Sequence, residues 1–325
     1  HCNSEQESSV VIGNDSVHVG EITVNKIDEI KKGLEEVLTG LGFTKGSSPK
    51  ALTPSQEKEV EKVLGMSEQL NSSDVENDPW TEFKLGNAAQ LTNHFATSQS
   101  HYLMALKIFT KYGFQVGKAH TLNNFAELKR KQRKYSSANI MLLESRDLMK
   151  QIGDRKGEAV VLGNLGLVTE ALGDLNNAEK FHKESIVIDK ENNDVEGEAV
   201  SLQLLGGISN RRGNMAEAEK RFRKSLALHR LVGNRKGEAS ALNELGINQM
   251  KQENSLEAER FLRQSLSILS EIGDRTRYVE TLENLGTVFV YRGDKDESHR
   301  IFIETTRIRR ELSLPIPQWF LDKGY

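Results

Sequence analysis

The sequence predicts an all-α protein in which pairs of helices repeat and stack, and three observations support this prediction. The chain has five prolines, and none of them lies within residues 80–314, although a proline interrupts most helices that it enters. Glycines recur at regular intervals along this stretch, as is typical of helices joined by tight turns. Residues of similar size recur every forty positions, which indicates stacked structural repeats.

The composition of the chain fits an extended stack better than one large globular core. Of its 325 residues, 37% are apolar and 28% are charged. The net charge of −3 predicts no nucleic-acid partner, because phosphate binding requires a basic surface. No apolar run approaches 18 residues, so we expect no membrane span. Cys2 is the only cysteine, which leaves no disulfide framework and no thiolate metal cluster.

Residues 1–76 differ in charge from the rest of the chain and are predicted to form an acidic N-terminal arm. They hold 7 Lys or Arg and 14 Asp or Glu, a net charge of −7, which leaves +4 for the other residues. Alternating apolar residues within 9–25 predict short strands. Helices are expected at about 26–41 and 54–70, with Thr53 as the cap of the second helix.

The role of the arm is open between two alternatives. Its opposite charge favours contact with the mildly basic repeats, over which it would fold back. Otherwise it is a mobile tail with a capping helix. Strands at 9–25 could also pair with another chain, because short strands need a partner sheet.

The repeats occupy residues 77–314 in six units of about forty residues. Their predicted bounds are 77–116, 117–156, 157–196, 197–236, 237–276 and 277–314. Glycine, leucine and small-residue columns recur in one register across these units. Representative columns are Gly86, Ala126, Gly166, Gly206, Gly246 and Gly286, and Ala105, Ser145, Ser185, Ser225, Ser265 and Thr305. We expect the small residues to allow close approach of the helices, with Gly163 and Gly166 both in the packing column.

Two short turn motifs divide each unit into two helices of about eighteen residues. One turn motif is Gly173-Asp174 and its equivalents, and the other is Gly153-Asp154 and its equivalents. Glycine suits the left-handed residue that ends a helix, and Asp or Asn suits the cap of the next one. One helix pair cannot bury its apolar face alone, so neighbouring pairs must stack into an α-solenoid.

The run from Leu162 to Ser185, L-x-x-L-G-x(11)-A-x-x-F-x-x-x-S, resembles the tetratricopeptide repeat. This resemblance covers about three quarters of the chain and implies a right-handed superhelix. The forty-residue length resembles the long-repeat branch that includes kinesin light chains and spindle-orientation adaptors. Gly-Asp-Arg-Lys-Gly-Glu at 153–158 is most similar to bacterial signalling members. The scaffold hosts many partners, so the resemblance indicates the fold far better than the function.

The C-terminal residues 315–325 depart from the repeat pattern. Terminal repeats are expected to be atypical because one face meets solvent. We expect Trp319, Phe320 and Leu321 to cap the last helix pair; the alternative is a tail that binds a partner.

No catalytic motif is found in the sequence. Gly113 to Lys118 is one residue short of a phosphate-binding loop and follows no strand. His94, His101 and His120 lack the spacing of a metal site. We therefore expect no enzymatic activity, no cofactor and no metal.

The resemblance implies that the first helix of each pair lines a concave groove, with accessible residues at positions 4, 8, 11 and 15 of each unit. The candidate groove residues at these positions are Trp80, Lys84, Asn87, His120, Asn124, Glu127, Lys131, Asn164, Leu167, Arg211, Glu244, Lys251, Asn284 and Tyr291.

Asparagine at groove positions calls for an explanation, because Asn is a mediocre residue inside a helix. The side-chain amides of Asn124, Asn164 and Asn284 can donate to and accept from the backbone of an extended peptide. In the alternative interpretation they satisfy hydrogen bonds between neighbouring repeats. The groove cations would select acidic groups of the partner, and Leu167 and Tyr291 would select apolar ones.

The sequence therefore predicts a non-catalytic scaffold that binds a peptide or protein segment in the concave groove. The alternative is a sensor module of a larger signalling protein, which controls an effector when a ligand binds. Self-association through the N-terminal strands or the solenoid ends is a third reading. We expect a cytoplasmic protein, with lipidation of Cys2 as the alternative.

Overall fold

The computed structural model describes residues 29–45, 49, 51–71 and 78–322, and the regular structure of these residues is α-helical throughout. The strands expected within 9–25 lie outside the described residues. The helices are α1 (29–40), α2 (Pro54–Asn71), α3 (Pro79–Leu91), α4 (Phe95–Lys111), α5 (Gln115–Lys131), α6 (Tyr135–Ile152), α7 (Arg155–Ala171), α8 (Leu175–Glu191), α9 (Val195–Arg211), α10 (Met215–Leu231), α11 (Arg235–Lys251), α12 (Ser255–Glu271), α13 (Arg275–Arg292), α14 (Lys295–Glu311) and α15 (Gln318–Asp322).

The chain divides into two compact units, His1–Arg133 and Lys134–Tyr325. The first unit contains α1 to α5, and the second contains α6 to α15. Within each unit the repeat helices pack in chain order, each on the next. Turns of two or three residues join them, so neighbouring helices run antiparallel. None of the described helices is both long enough and apolar enough to cross a membrane.

The helices of the second unit end where the turn motifs predict. Gly153, Gly173, Gly213, Gly233, Gly273 and Gly293 all have a positive φ. At the two turn motifs without glycine, Asn193 and Glu253 take the left-handed conformation instead. Asp154 and Asp174 accept a backbone hydrogen bond at the start of the following helix, as expected of caps. Asn214 and Asn254 also precede a helix, but their side chains do not cap it.

Glycines of the first helices act as notches for large side chains of the second helices. A Cβ added at Gly166 would overlap the ring of His182, and one at Gly206 would overlap the ring of Phe222. Gly86 in the first unit faces Tyr102 in the same way. The packing role expected for this column is thus confirmed.

A second set of notches joins one repeat to the next. In the second unit Gly157 receives Met149, Gly197 receives Asp189 and Gly237 receives His229. In the first unit Gly117 receives Phe109. Close packing therefore depends on one glycine and one large side chain at each of these helix contacts.

The small-residue column of the second helices also forms hydrogen bonds. Ser225 and Ser265 each donate from Oγ to a first-helix carbonyl, those of Ala199 and Ala239, at 2.8 Å. Ser185 makes the equivalent bond to Ala159 at 3.1 Å. A hydroxyl on a small side chain thus ties the two helices of a repeat together without separating them.

Three polar side chains occupy these large-residue positions in the second unit. His182 and His229 are fully buried, and neither ring nitrogen of either residue has a hydrogen-bond partner. Burial lowers the pKa of His182 to about 4 and also lowers that of His229. Burial raises the pKa of Asp189 to about 6, and the nearby Asp194 carboxylate adds to the effect.

The helices outside the six repeats pack against the repeat next to them. In the first unit, Leu34 and Leu38 of α1 and Val60 of α2 share a core with Leu85 of α3. Thr53 and Gln56 exchange hydrogen bonds at the start of α2, as the expected cap requires. In the second unit, Phe320 is fully buried and its ring lies 5.1 Å from that of Phe302.

We predict opposite effects for alanine at two glycines of α7. Gly166→Ala should lower the free energy of unfolding by about 1–3 kcal/mol, because the new methyl group overlaps the buried His182 ring. Gly163→Ala should raise it by about 0.5–1 kcal/mol, because alanine is the better helix former and a Cβ there meets nothing within 4 Å. Urea denaturation of both variants measures the difference. Similar effects of the two variants would contradict the close contact between Gly166 and the His182 ring.

We predict that His182→Phe stabilises the protein and weakens the dependence of its stability on pH. Phenylalanine fills the equivalent position at Phe222 and leaves no unpaired ring nitrogen, which is worth about 1–3 kcal/mol. The folded pKa of His182, about 4, lies below its unfolded value of 6.5. Its contribution is therefore fully present above pH 6.5 and is lost as the pH falls through 4, by up to about 3 kcal/mol.

Thermal melts of His182→Phe and the wild type between pH 4 and 8 test this prediction. The wild type should lose more stability than the variant on acidification. The reverse substitution, Phe222→His, should introduce the same acid sensitivity in the next repeat. Parallel pH curves for all three proteins would show that His182 does not titrate as described.

Candidate functional site

The first helices of the second unit form its inner face, because they contact each other directly. Contacts join α7 to α9, α9 to α11 and α11 to α13. Among the described residues, no pair of neighbouring second helices makes a comparable contact. The accessible residues of α7, α9, α11 and α13 define what we call the inner face.

The candidate residues of the second unit lie along this inner face. Asn164, Leu167, Glu244 and Asn284 are half-buried, and Arg211, Lys251 and Tyr291 are exposed. At position 4 of their units, Val160 and Val200 are 53% and 46% exposed. Apolar, amide and charged side chains therefore share one accessible surface.

Two charged residues of the inner face form an ion pair between neighbouring first helices, and a third carries a carboxylate that is unpaired within the described residues. Arg211 of α9 bridges to Glu170 of α7 at 2.9 Å. Burial raises the pKa of the Glu170 carboxyl, and Arg211 partly opposes the rise. Burial also raises the pKa of Glu244; the Lys251 charge opposes this rise, and the Glu170 charge makes a smaller contribution to it. Within the described residues, Glu244 makes no hydrogen bond or ion pair.

Amide side chains of the inner face connect neighbouring repeats. Asn284 donates from Nδ2 to Oδ1 of Asn243 at 2.9 Å. Gln203 donates to the Ser240 hydroxyl at 2.7 Å. In the first unit, Asn124 donates to Oδ1 of Asn87 at 2.9 Å. Asn124 and Asn284 thus have the inter-repeat bonds of the alternative interpretation, and a peptide would have to compete with those bonds or add to them.

Two candidate residues of the first unit, both on α3, are buried, and α1 and α2 pack on this helix. Lys84 is only 3% exposed and forms an ion pair with Glu35 of α1. Asn87 is 4% exposed and accepts a hydrogen bond from the Tyr102 hydroxyl at 2.7 Å. The expectation that Lys84 and Asn87 are exposed is therefore wrong, since sequence position alone did not reveal the covering helices.

The remaining candidates of the first unit lie on α3 and α5. The Trp80 ring is half-buried and lies 4.9 Å from that of Phe109 and 6.5 Å from that of His120. Glu127 forms an ion pair with Arg130 at 2.6 Å. Lys131 is exposed at the end of α5.

Two glycines of the inner face have no packing role. A Cβ at Gly163 of α7 or at Gly207 of α9 would meet nothing within 4 Å. The expectation that Gly163 belongs to the packing column with Gly166 is therefore wrong. A glycine inside a helix costs about 1 kcal/mol relative to alanine, so these two reduce stability without improving packing. The sequence signal was available, because neither residue follows the forty-residue glycine column.

A separate cavity of about 600 Å³ lies at the C-terminal end of the second unit. Its lining includes Val290, His299, Phe302 and Trp319. Trp319 is 47% exposed there, and its ring lies 5.1 Å from that of Phe302. Over the described residues, no group of three or more His, Cys, Asp or Glu could hold a metal ion.

Comparison with known proteins identifies the repeats. Three overlapping stretches, residues 157–231, 197–271 and 237–311, match the family described as tetratricopeptide repeat. No curated protein matches the chain.

Several solved structures share the fold at low sequence identity. One is a signal transduction ATPase with numerous domains from Pyrococcus horikoshii, which has a tetratricopeptide repeat sensor. It aligns with a TM-score of 0.64 at 14% identity over 79% of this chain and 38% of that protein. This chain therefore spans well under half of that protein's length.

Two further structures match over most of their own length. The apo form of RapI aligns with a TM-score of 0.65 at 17% identity, over 79% of this chain and 94% of RapI. NprR in complex with its cognate peptide NprX aligns with a TM-score of 0.57 at 14% identity, over 88% of this chain and 79% of NprR. At these identities the likeness concerns the fold.

We predict that removing Glu35 from the Lys84–Glu35 ion pair lowers the free energy of unfolding more than removing Lys84 does. Glu35→Ala leaves the buried Lys84 ammonium unpaired, which should cost about 3 kcal/mol. Lys84→Met leaves Glu35, whose side chain is 45% exposed, free to be hydrated, so the cost should be below about 1 kcal/mol. Urea denaturation of the two single variants makes the comparison. A larger loss for Lys84→Met would contradict the burial of this lysine.

Proposed function

Since the chain carries tetratricopeptide repeats, we propose that it is a non-catalytic scaffold that binds an extended peptide or protein segment on its inner face. The observation that carries this proposal is the row of accessible side chains on α7, α9, α11 and α13. Apolar anchors, amides and charges alternate along this row, as they do in surfaces that bind a partner by both shape and polarity.

Particular side chains support a peptide as the partner. Val160, Val200 and Leu167 offer apolar contacts to side chains of a bound segment. Asn164 carries an amide that can both donate to and accept from a peptide backbone. NprR, whose fold this chain shares, is a protein that takes up a peptide.

A second candidate is a regulatory sensor within a longer protein. The Pyrococcus horikoshii protein uses tetratricopeptide repeats as its sensor, and the matched region is 38% of its length. In this reading the same inner face binds the ligand, and the consequence is the release of an effector rather than assembly. The division into an arm at 1–76, repeats at 77–314 and a tail at 315–325 serves both readings, as does a location in the cytoplasm.

We predict that polar substitutions on the inner face abolish peptide binding. The test variant is Leu167→Gln with Ile247→Gln, which replaces two half-buried apolar residues at position 11 of their units. The matched control is Val187→Gln with Leu256→Gln on the second helices, where the side chains are 55% and 75% exposed. The full chain is applied to an array of random-sequence nonapeptides, and retained protein is measured.

The inner-face variant should retain less than about a tenth of the wild-type signal, the loss of roughly 1.4 kcal/mol or more of binding free energy. The control should retain all of it. Equal signals from both variants would show that the peptides bind elsewhere. No retained protein with the wild type would reject the peptide-binding proposal itself.

A further inference from the structure

The two glycines without a packing role lie in rows of apolar residues on neighbouring helices. On α7 the row is Val160, Gly163 and Leu167, at spacings of three and four residues. On α9 it is Val200, Leu204 and Gly207, at spacings of four and three residues. These spacings place each row on one face of its helix. Each glycine therefore leaves a gap beside apolar residues on its face of the helix.

The packing of this chain does not explain why glycine stands at these two positions. Other first-helix glycines receive a side chain of a second helix, whereas the space at Gly163 and Gly207 is empty of protein atoms to 4 Å. Glycine allows another backbone to approach the helix more closely than any other residue does. An extended chain lying across α7 and α9 would make its closest approach at these two positions.

The charges of the inner face favour a particular occupant. Glu170 follows Leu167 on the same face of α7, and its charge is already met by Arg211 of α9. Glu244 on α11 is half-buried, feels the Glu170 charge and has no ion-pair partner within the described residues. Lys251 is exposed, and although its charge lowers the pKa of Glu244, it forms no ion pair with Glu244 within the described residues. A cation supplied from outside would therefore meet a half-buried, unpaired carboxylate at Glu244.

We propose that Gly163 and Gly207 form the contact point for the main chain of an extended peptide, and that Glu244 binds a lysine or arginine side chain of that peptide. This inference rests on the proposed function and adds the chemistry of the ligand. Val160 and Val200 contact apolar side chains beside the basic one. The occupant is thus a basic residue flanked by apolar residues in an extended segment.

The first experiment separates ligand contact from helix stability. Gly163→Ala and Gly207→Ala are combined in the full chain, and Gly65→Ala in α2 is the matched control, because a Cβ there also meets nothing within 4 Å. Melting temperatures of both proteins should stay level or rise. Binding to an array of random-sequence nonapeptides should fall at least tenfold for the double variant alone.

The second experiment tests the charge. Four nonapeptide sets are used, whose central residue is Lys, Arg, Glu or norleucine and whose other positions are random apolar residues. The wild type should bind the Lys and Arg sets at least tenfold better than the norleucine set. Glu244→Gln should remove that preference, and Glu253→Gln, an exposed residue in the turn after α11, should keep it.

The outcomes distinguish this inference from the function on which it rests. Loss of binding with the paired alanines, together with loss of the basic preference in Glu244→Gln, supports the inference. If the peptides bind all variants equally, or if the wild type prefers the Glu set, the inference is overturned while peptide binding stands. If no set binds the wild type, both are overturned.

Discussion

The structure depends on one contact that recurs with the forty-residue period: a glycine on one helix receives a large side chain from its neighbour. Gly206 with Phe222 joins the two helices of one repeat, and Gly237 with His229 joins that repeat to the next. A Cβ at these glycines would force the helices apart, so the spacing of the helices is tied to the glycine column. The serine hydroxyls can reach the carbonyls of Ala199 and Ala239 only because the helices are this close.

The notch accepts polar side chains, and this couples the stability of the second unit to pH in two opposing ways. His182 has a lowered pKa, so its contribution is present above pH 6.5 and is lost as the pH falls through about 4. Asp189 has a raised pKa, so its contribution is present below its unfolded value of 3.8 and is lost as the pH rises through about 6. The two groups therefore change the stability in opposite directions as the pH changes, and neither acidic nor alkaline pH gives the full contribution of both.

Packing on one side of each first helix leaves its other side available for function. In the second unit that side carries Val160, Asn164, Leu167 and their equivalents, which are exposed or half-buried. In the first unit α1 contacts α3, and Glu35 takes the charge of Lys84. The same repeat position thus serves as a solvent-facing surface in one unit and as part of the core in the other, according to what packs on it.

The repeat period and the helix bounds follow from the sequence alone, because they depend on interactions between residues close in the chain. Asp174 caps α8 through a bond to the residue three positions later, and Gly173 ends α7 through its own φ. The space beside Gly166 is occupied by a side chain while the space beside Gly163 is open, and Lys84 is buried; these outcomes become visible in the tertiary structure. Those outcomes depend on His182, sixteen residues beyond Gly166, and on Glu35, forty-nine residues before Lys84. Burial and charge pairing are set by atoms brought together in space, which spacing along the chain does not specify.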